Sequence, residues 1–272
     1  MARAVTGFEN LPMTTSCTMG AAATGSTDFS LAQHRARPAI GILTGSGPEA
    51  GIDLWTKLLH ENRRRLGAAF RGDIDAPAVH LVSDPVLGLS MELERTEAQV
   101  WTALKADAQA LDGRAAVYAI ACNTLNLFAD RLRALALRPQ LLSFTEVVGE
   151  YLARIGAQRV CLLGARPVAE LGGWSPYRTL RARFDFEPLG AESTHALHQL
   201  IYDIKWRGAA YPGLRERFAA LRAGIEAPVV LLACTELPLV ADLPGDRRLM
   251  DVTQLVAEAL LDRTGVHAAS SP

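Results

Sequence analysis

A repeated order of apolar run, polar loop and helical segment constrains the fold of this chain most strongly. The run AIAC at residues 119–122 leads into NTLN, and the run LLAC at residues 231–234 leads into TELP. A second pair of segments, ARPAIGILTGSGPEA at residues 36–50 and AQRVCLLGARPVAE at residues 157–170, stands in the same order. The members of the pairs are separated by about 112 and about 120 positions, and such similar offsets predict a duplicated α/β unit. Chance similarity between strands that end in polar loops is the alternative.

The alternation of short β-rich runs with amphipathic helices predicts parallel sheets connected by crossover helices. The run VVLLA at residues 229–233 is typical of a parallel strand that is buried on both faces. We therefore predict an α/β fold with two similar lobes. The first lobe is expected to contain residues 38–143 plus 249–264, because the final helix should pack back on it, and the second lobe residues 144–248.

Local patterns predict the individual elements. Pro48 suits the first turn of a helix, where its missing N–H is not needed. Ile52, Trp55, Leu58 and Leu59 follow the spacing of a buried helix face. The later elements are predicted as a strand at residues 76–84, a helix from about 94 to 111, a strand at 115–122, a helix that opens at residue 124 and a final helix at about 253–261.

Residues 1–37 differ from the rest because they are rich in Ser, Thr, Ala and Gly. They lack a charged segment followed by an apolar core, so a secretory signal is not predicted. We expect a disordered tail or a start codon placed too early, and we exclude Cys17 from the fold with it.

Bulk properties exclude several classes of function. The net charge is −1, which gives no electrostatic preference for nucleic acid or an anionic membrane. No apolar run approaches the roughly 18–20 residues of a membrane span. The four cysteines are scattered and form no C-x-x-C pair, which argues against zinc ribbons and thioredoxin-like sites. Such cysteine usage is typical of a reducing compartment, so we expect a cytoplasmic protein.

Cys122 and Cys234 each follow a predicted strand, at the end of a parallel sheet where ligands bind. Two similar lobes face to face would place these thiols on opposite walls of one cleft. A helix N-terminus after each thiol would favour the thiolate, and Thr124 and Thr235 could cap those helices or bind an anion. Each cysteine taken alone is more often a small buried apolar residue, which is our interpretation of Cys161.

The polar neighbours make the two thiols unequal. Asn123 supplies an amide donor beside Cys122. Glu236 is a carboxylate near Cys234 and would keep that thiol protonated. One thiolate base and one thiol acid are what a two-base proton transfer requires.

Other polar residues support a small anionic ligand less directly. The loop Gly45-Ser46-Gly47 fits neither the dinucleotide nor the P-loop pattern, so it is either a small-anion nest or a plain tight turn. Arg95 and Lys205 are possible partners of a side-chain carboxylate. His195 and His198 stand three apart but lack further ligands, so no metal site is predicted there.

Four segments together resemble the aspartate/glutamate racemase family, which uses two cysteines and no cofactor. The four segments are GILTGSGPEAG at residues 41–51, ACNT at 121–124, IYDIKWRG at 201–208 and ACTELPL at 233–239. The resemblance implies two flavodoxin-like lobes related by a pseudo-twofold, with the active site in the cleft between them. It also implies that Cys122 and Cys234 act on opposite faces of the substrate Cα, without metal or pyridoxal phosphate. Homodimers are expected, because many members form them.

The resemblance further implies roles for the neighbours of the thiols. Asn123, Thr124 and Thr235 would hold the α-carboxylate and Ser46 would line the pocket. Lys205 would cover the site as part of a strap, and Arg95 corresponds to an Arg-Thr loop.

Two departures from the family pattern leave the identity of the substrate undecided. The sequence has Leu125-Asn126 where the family often has Ala-His, and Ala165-Arg166 where a hydroxyl is usual. Aspartate or glutamate is the expected substrate, and Arg166 could take part in binding it. The alternatives are another isomerase, a decarboxylase or a hydantoin racemase of the same fold, or a silent protein that binds a small carboxylate.

Overall fold

The computed structural model describes residues 37–267 and contains two four-stranded, all-parallel sheets. The first sheet has the order β2-β1-β3-β4, with the bounds β1 Ile40–Thr44, β2 Val79–Ser83, β3 Val117–Ile120 and β4 Gln140–Leu141. The second has the order β6-β5-β7-β8, with the bounds β5 Arg159–Leu163, β6 Asp185–Glu187, β7 Val229–Leu232 and β8 Leu249–Asp251. The α/β fold with two parallel sheets is therefore confirmed.

Helices connect the strands, as parallel pairing requires. The α-helices are α1 Pro48–Leu66, α2 Leu93–Ala110, α3 Ala129–Arg133, α4 Phe144–Arg154, α5 Arg166–Ala169, α6 Ala191–Arg207, α7 Leu214–Ala223 and α8 Val252–Arg263. The 3-10 segments that bear on the site are Pro85–Glu92, Thr124–Phe128, Pro176–Ala182 and Leu237–Leu239. None of the helices within residues 37–267 combines the length and apolar character needed to cross a membrane.

The two sheets share one strand order, in which the first strand lies between the second and the third. This common order supports the predicted duplication, whereas the pseudo-twofold axis stays a prediction. The pairing of β8 with β7 places residues 249–251 in the second sheet, whereas the sequence predicts that the first lobe resumes at residue 249. The following helix α8 packs on α1 and β3, and also on α4. The lobe boundaries as folding units stay a prediction.

One apolar core runs through both lobes. It joins strands of the first sheet, represented by Ile42, to strands of the second, represented by Leu162 and Leu231, through residues of α4 and α8 such as Val148 and Leu260. At roughly 25 cal/mol per Å² of buried apolar surface, such a core is the main force that holds the lobes together. The shared core therefore fixes the carboxyl ends of the strands relative to each other.

The predicted buried face of α1 is wrong at three of its four residues. Ile52, Trp55 and Leu59 are 58%, 42% and 38% exposed, while Leu58 is fully buried. The helix buries Leu54 and Leu58 together with small and polar side chains, and Arg65 is hydrogen-bonded to Glu61 and to α8. The buried stripe of α1 therefore runs through Leu54, Leu58 and Arg65 and not through the three exposed apolar residues.

Candidate active site

The two candidate thiols lie at equivalent places, two residues beyond the ends of β3 and β7. These strands occupy the same position in their sheets. The hydroxyl of Thr235 donates to the carbonyl oxygen of Ala121 over 3.4 Å, so the loops that carry Cys122 and Cys234 are in contact. Both thiols are 7% exposed.

Cys122 lies in a hydroxyl-rich environment. Its Sγ donates to Ser46 Oγ at 3.2 Å and lies 3.8 Å from Ser90 Oγ, and the two serine hydroxyls are 2.6 Å apart. Asn126 fixes the backbone here, because its Nδ2 donates to the carbonyl of Cys122 and its Oδ1 accepts from the N–H of Phe144. Asn126 thus anchors the loop of Cys122 to the start of α4.

Cys234 lies beside a carboxylate instead. Its Sγ donates to Glu236 Oε2 at 3.0 Å, and the hydroxyl of Thr235 is 3.2 Å from the same oxygen. Burial, and then the charge of Glu236, raise the pKa of the Cys234 thiol well above its ordinary value. Cys234 is therefore held as the protonated thiol, as the sequence predicted.

Lys205 joins the two thiol environments. Its ammonium group donates to the backbone carbonyl of Ser46 and to Oε1 of Glu236. Burial alone would lower the pKa of Lys205, but the charges of Glu236, Cys234 and Cys122 outweigh burial and raise this pKa. Lys205 thus contacts Ser46, which bonds to Cys122, and Glu236, which bonds to Cys234.

The glycine loop leaves room for this ion pair. Gly47 has φ of 136°, a conformation that L side chains rarely adopt, and a Cβ there would collide with Glu236 Oε1. At Gly45 a Cβ would collide with the backbone of Asp84. The loop is thus a tight turn, and its backbone presents a carbonyl oxygen to Lys205; an anion nest at this loop stays a prediction.

A cavity of about 790 Å³ opens at the glycine loop and the C-terminal end of α6. Ser46, Lys205 and Glu236 lie on its wall, together with Trp206, which is 89% exposed. The lining residues do not include the cysteines. The sulfurs of Cys122 and Cys234 instead contact two residues of the cavity wall, Ser46 and Glu236.

Asn123 has a partner that sequence reasoning missed. Its Oδ1 accepts from the hydroxyl of Tyr177, which belongs to the second lobe and is fully buried. Its buried Nδ2 has no hydrogen-bond partner within the described residues. Ser90 was also missed. No local signal in the sequence marks either residue, because each contacts the site across a large separation along the chain.

Two predicted residues are not brought to the cleft. Arg95 is exposed on α2 and is not among the residues that line the cavity. Arg166 is exposed, with Nη1 4.0 Å from Glu170, and its backbone N–H donates to His198 Nδ1. Within residues 37–267 no group of three His, Cys, Asp or Glu could hold a metal ion.

The predicted helix caps are not formed. The segment after Cys122 is a 3-10 helix followed by the five-residue α3, and the segment after Cys234 is a three-residue 3-10 helix. Thr124 is buried beside the site, but its side chain does not cap the segment that follows Cys122. The hydroxyl of Thr235 lies within hydrogen-bonding distance of Ala121 and Glu236 and does not cap a helix. Helix dipoles therefore contribute less at the thiols than the sequence suggested.

Cys161 is buried within β5, where burial raises its pKa to about 11.

The fold matches solved structures of racemases. An aspartate racemase of Picrophilus torridus superimposes with a TM-score of 0.70 at 21% identity, covering 84% of this chain and 94% of the other. An aspartate racemase homologue of Pyrococcus horikoshii OT3 gives a TM-score of 0.66 at 21% identity, with 84% and 99% covered. A glutamate racemase of Campylobacter jejuni subsp. jejuni gives 0.56 at 14% identity, with 82% and 85% covered.

The comparison of sequences agrees with the comparison of folds. A search of curated proteins found no match. The family model for Asp/Glu/hydantoin racemases matches residues 25–260, which include every element that carries the site. The chain therefore belongs to the Asp/Glu/hydantoin racemase family.

Proposed function

We propose that this protein is a cofactor-independent amino-acid racemase that uses Cys122 and Cys234 as its two acid–base groups. The observation that carries the proposal is the network from Cys122 through Ser46, Lys205 and Glu236 to Cys234. It joins two thiols at equivalent strand ends and gives only one of them a carboxylate partner. Thiols in this arrangement can remove and deliver a proton at one carbon atom.

The proton transfer follows from the unequal thiols. The thiolate of Cys122 removes the proton from Cα, and the thiol of Cys234 delivers its proton to the opposite face. This step leaves Cys122 protonated and Cys234 as the thiolate, which is the starting state for the reverse reaction. Placed hydrogen-bond donors stabilise the negative charge that develops on the substrate. The Nδ2 of Asn123, which has no hydrogen-bond partner within residues 37–267, is such a donor.

The proposed substrate is aspartate or glutamate. The α-carboxylate would bind at Asn123, Thr124 and Thr235, and the side-chain carboxylate at Lys205 once its contact with Glu236 is broken. Of the cavity-lining residues, Lys205 and Arg207 are the cations, and Arg207 already lies 3.5 Å from Asp203. Lys205 is thus the cation we assign to an acidic side chain.

The proposal includes a homodimer in the cytoplasm. The dimer is supported by an exposed apolar face at the edge of the first sheet, which consists of Ile52, Trp55, Leu59, Leu81, Val86 and Leu89. The location is supported by Cys122, Cys161 and Cys234, which are free thiols in the described part of the chain.

Proton exchange at Cα in heavy water tests the proposal. A panel of amino acids is incubated with the wild type, and the loss of each Cα proton signal is followed by NMR, together with optical rotation. We expect exchange and racemisation with aspartate or glutamate. The variants Cys122→Ser and Cys234→Ser should lower racemisation by roughly 100- to 10,000-fold, because each lacks one acid–base group.

The matched control is Cys161→Ala, which removes a buried thiol outside the network and should retain activity. Full racemisation by either serine variant would refute the two-base scheme. Release of carbon dioxide would instead indicate a decarboxylase. Thermal stabilisation by a carboxylate without any turnover would indicate a binding protein.

A further inference from the structure

Tyr177 is a fully buried residue of the second lobe whose hydroxyl reaches the site in the first lobe. It lies in the 3-10 segment Pro176–Ala182, which begins after Ser175, and the Oγ of Ser175 accepts from the N–H of Tyr177. This 3-10 segment packs against the one that follows Cys122. The position of Tyr177 is therefore fixed by the hydrogen bond of its backbone N–H and by the packing of the two 3-10 segments.

The hydroxyl of Tyr177 determines which way the amide of Asn123 faces. The hydroxyl donates to Oδ1 of Asn123, so this oxygen is satisfied and Nδ2 is left without a partner within residues 37–267. An unpaired donor in a buried position costs free energy until an acceptor arrives. A carboxylate is an acceptor that carries no donor, so it fits this amide in the orientation observed.

The hydroxyl of Tyr177 is bonded to Asn123, which directly follows Cys122. Burial, and then the charge of Cys122, raise the pKa of the tyrosine, so its hydroxyl keeps its proton and remains a donor. Without this donor the amide could rotate and turn Oδ1 toward the site. An oxygen in that place would repel both a substrate carboxylate and the thiolate of Cys122.

We infer that Tyr177 is a positioning residue, which acts across the two lobes to hold the amide N–H groups of Asn123 ready for the carboxylate of the substrate. The inference rests on the proposed racemase function. It assigns to the second lobe a part in the recognition of the same carboxylate that the first lobe binds.

The test is a double-mutant cycle on racemisation. Tyr177→Phe keeps the ring and removes the hydroxyl, and we expect KM to rise and kcat/KM to fall roughly 10- to 100-fold, as for loss of a hydrogen bond to a charged group. Asn123→Ala should lower kcat/KM by at least as much. The double variant should be no worse than Asn123→Ala alone, because Tyr177 acts through Asn123.

The control is Tyr151→Phe, because the hydroxyl of Tyr151 contacts Met250 rather than a residue of the site. Its kcat/KM should equal that of the wild type. Additive losses in the cycle, or an unchanged kcat/KM in Tyr177→Phe, would overturn the inference.

A second variant covers the case in which Tyr177→Phe does not fold. Asn123→Asp keeps an oxygen for the Tyr177 hydroxyl but lacks the N–H donors, so KM should rise at least as much as in Tyr177→Phe. An unchanged KM would contradict the inference. A wild type that exchanges no Cα proton refutes the proposed function and this inference together, whereas an active wild type with an indifferent Tyr177 refutes only the inference.

Discussion

At the scale of single residues, the two thiols differ because one has hydroxyl neighbours and the other a carboxylate. Ser46 and Ser90 accept or donate hydrogen bonds without adding charge, so they tolerate a thiolate at Cys122. Glu236 adds a negative charge 3.0 Å from the sulfur of Cys234 and so opposes ionisation of that thiol. The proposed mechanism assigns different protonation states to the two cysteines on this ground.

Glu236→Gln tests this difference directly. Removing the carboxylate removes a charge that raises the pKa of Cys234, so this pKa should fall. The measurement is the pH dependence of Cys234 alkylation by iodoacetamide, with Cys17, Cys122 and Cys161 replaced.

Asp203→Asn is the control for a lost negative charge, because Asp203 lies on α6 but pairs with Arg217 at the surface. Asp203→Asn should leave the pKa of Cys234 unchanged. A Cys234 pKa that is unchanged or higher in Glu236→Gln would contradict the assignment of Cys234 as the resting acid.

Residues near the thiols in sequence were predictable, and those from distant segments were not. Asn123, Thr235 and Glu236 adjoin the two cysteines, so the pattern of a strand followed by polar residues identifies them. Tyr177 and Ser90 reach the site from 54 and 32 positions away, and nothing in their own neighbourhoods indicates this. Arg95 and Arg166 show the opposite case, since the sequence predicts both at the site and the structure leaves both exposed. A match between segments does not determine where an arginine side chain points.

At the scale of elements, strands were easier to predict than the segments that follow them. A strand buried on both faces requires a continuous apolar run, which is visible in sequence. The choice between an α-helix and a 3-10 turn after Cys122 depends instead on tertiary contacts such as those of Asn126 with Cys122 and Phe144. The same holds for α1, whose buried stripe continues from Leu54 and Leu58 to Arg65 because Arg65 pairs with Glu61 and with Asp262 of α8.

Helix α2 carries a buried carboxyl group that should make stability depend on pH. Burial, and then the charge of Asp84, raise the pKa of Asp107 to about 6, and one of its oxygens is buried without a hydrogen bond within residues 37–267. A carboxyl group whose pKa is raised in the folded state binds its proton more tightly when folded. Its contribution is therefore fully present below the unfolded pKa of about 3.9 and is lost as the pH rises through about 6.

Asp107→Asn removes this dependence. We expect the variant to be more stable than the wild type at pH 7 by about 1 kcal/mol, a value that allows for screening by solvent. The advantage should shrink towards pH 4. Urea unfolding at several pH values measures it, with Glu94→Gln, an exposed change on the same helix, as control. A wild type whose stability rises relative to Asp107→Asn from pH 4 to pH 7 would contradict the prediction.

At the scale of the whole molecule, the repeated strand order explains why the two thiols occupy equivalent places. The duplicated pattern in the sequence predicts two similar sheets, and both have the order second, first, third, fourth strand. Equivalent third strands then place Cys122 and Cys234 at corresponding ends. What the sequence could not show is the shared core, because it is built from side chains of both lobes that are far apart along the chain.

The edge of the first sheet exposes an apolar face. It is defined by residues of α1, β2 and the 3-10 segment after β2, namely Ile52, Trp55, Leu59, Leu81, Val86 and Leu89. Leu81 pairs in register with Ile42, which packs with Leu54 and Leu58 of α1, so Leu81 points to the same side of the sheet as α1. In the described chain β2 is an edge strand, and exposed edges with apolar side chains are typical of association surfaces.

We expect this apolar face to form the interface of the proposed homodimer. Its 3-10 segment contains Ser90, which touches Cys122, so a partner subunit that covers the face would also order one wall of the site. Trp55→Glu combined with Leu81→Lys places charges in the face and should convert the dimer to a monomer of 29.3 kDa, measured by sedimentation velocity. Racemisation should fall in parallel, because Ser90 loses its support.

Ile155→Glu is the control, since Ile155 is 43% exposed in the turn after α4, outside the apolar face. Its mass should stay that of the wild type. A wild type that sediments as a monomer, or a double variant that remains a dimer, would contradict this interface. A monomeric variant with full activity would show that the face holds the subunits together while the wall around Ser90 is stable through its own bonds to Ser46 and Cys122.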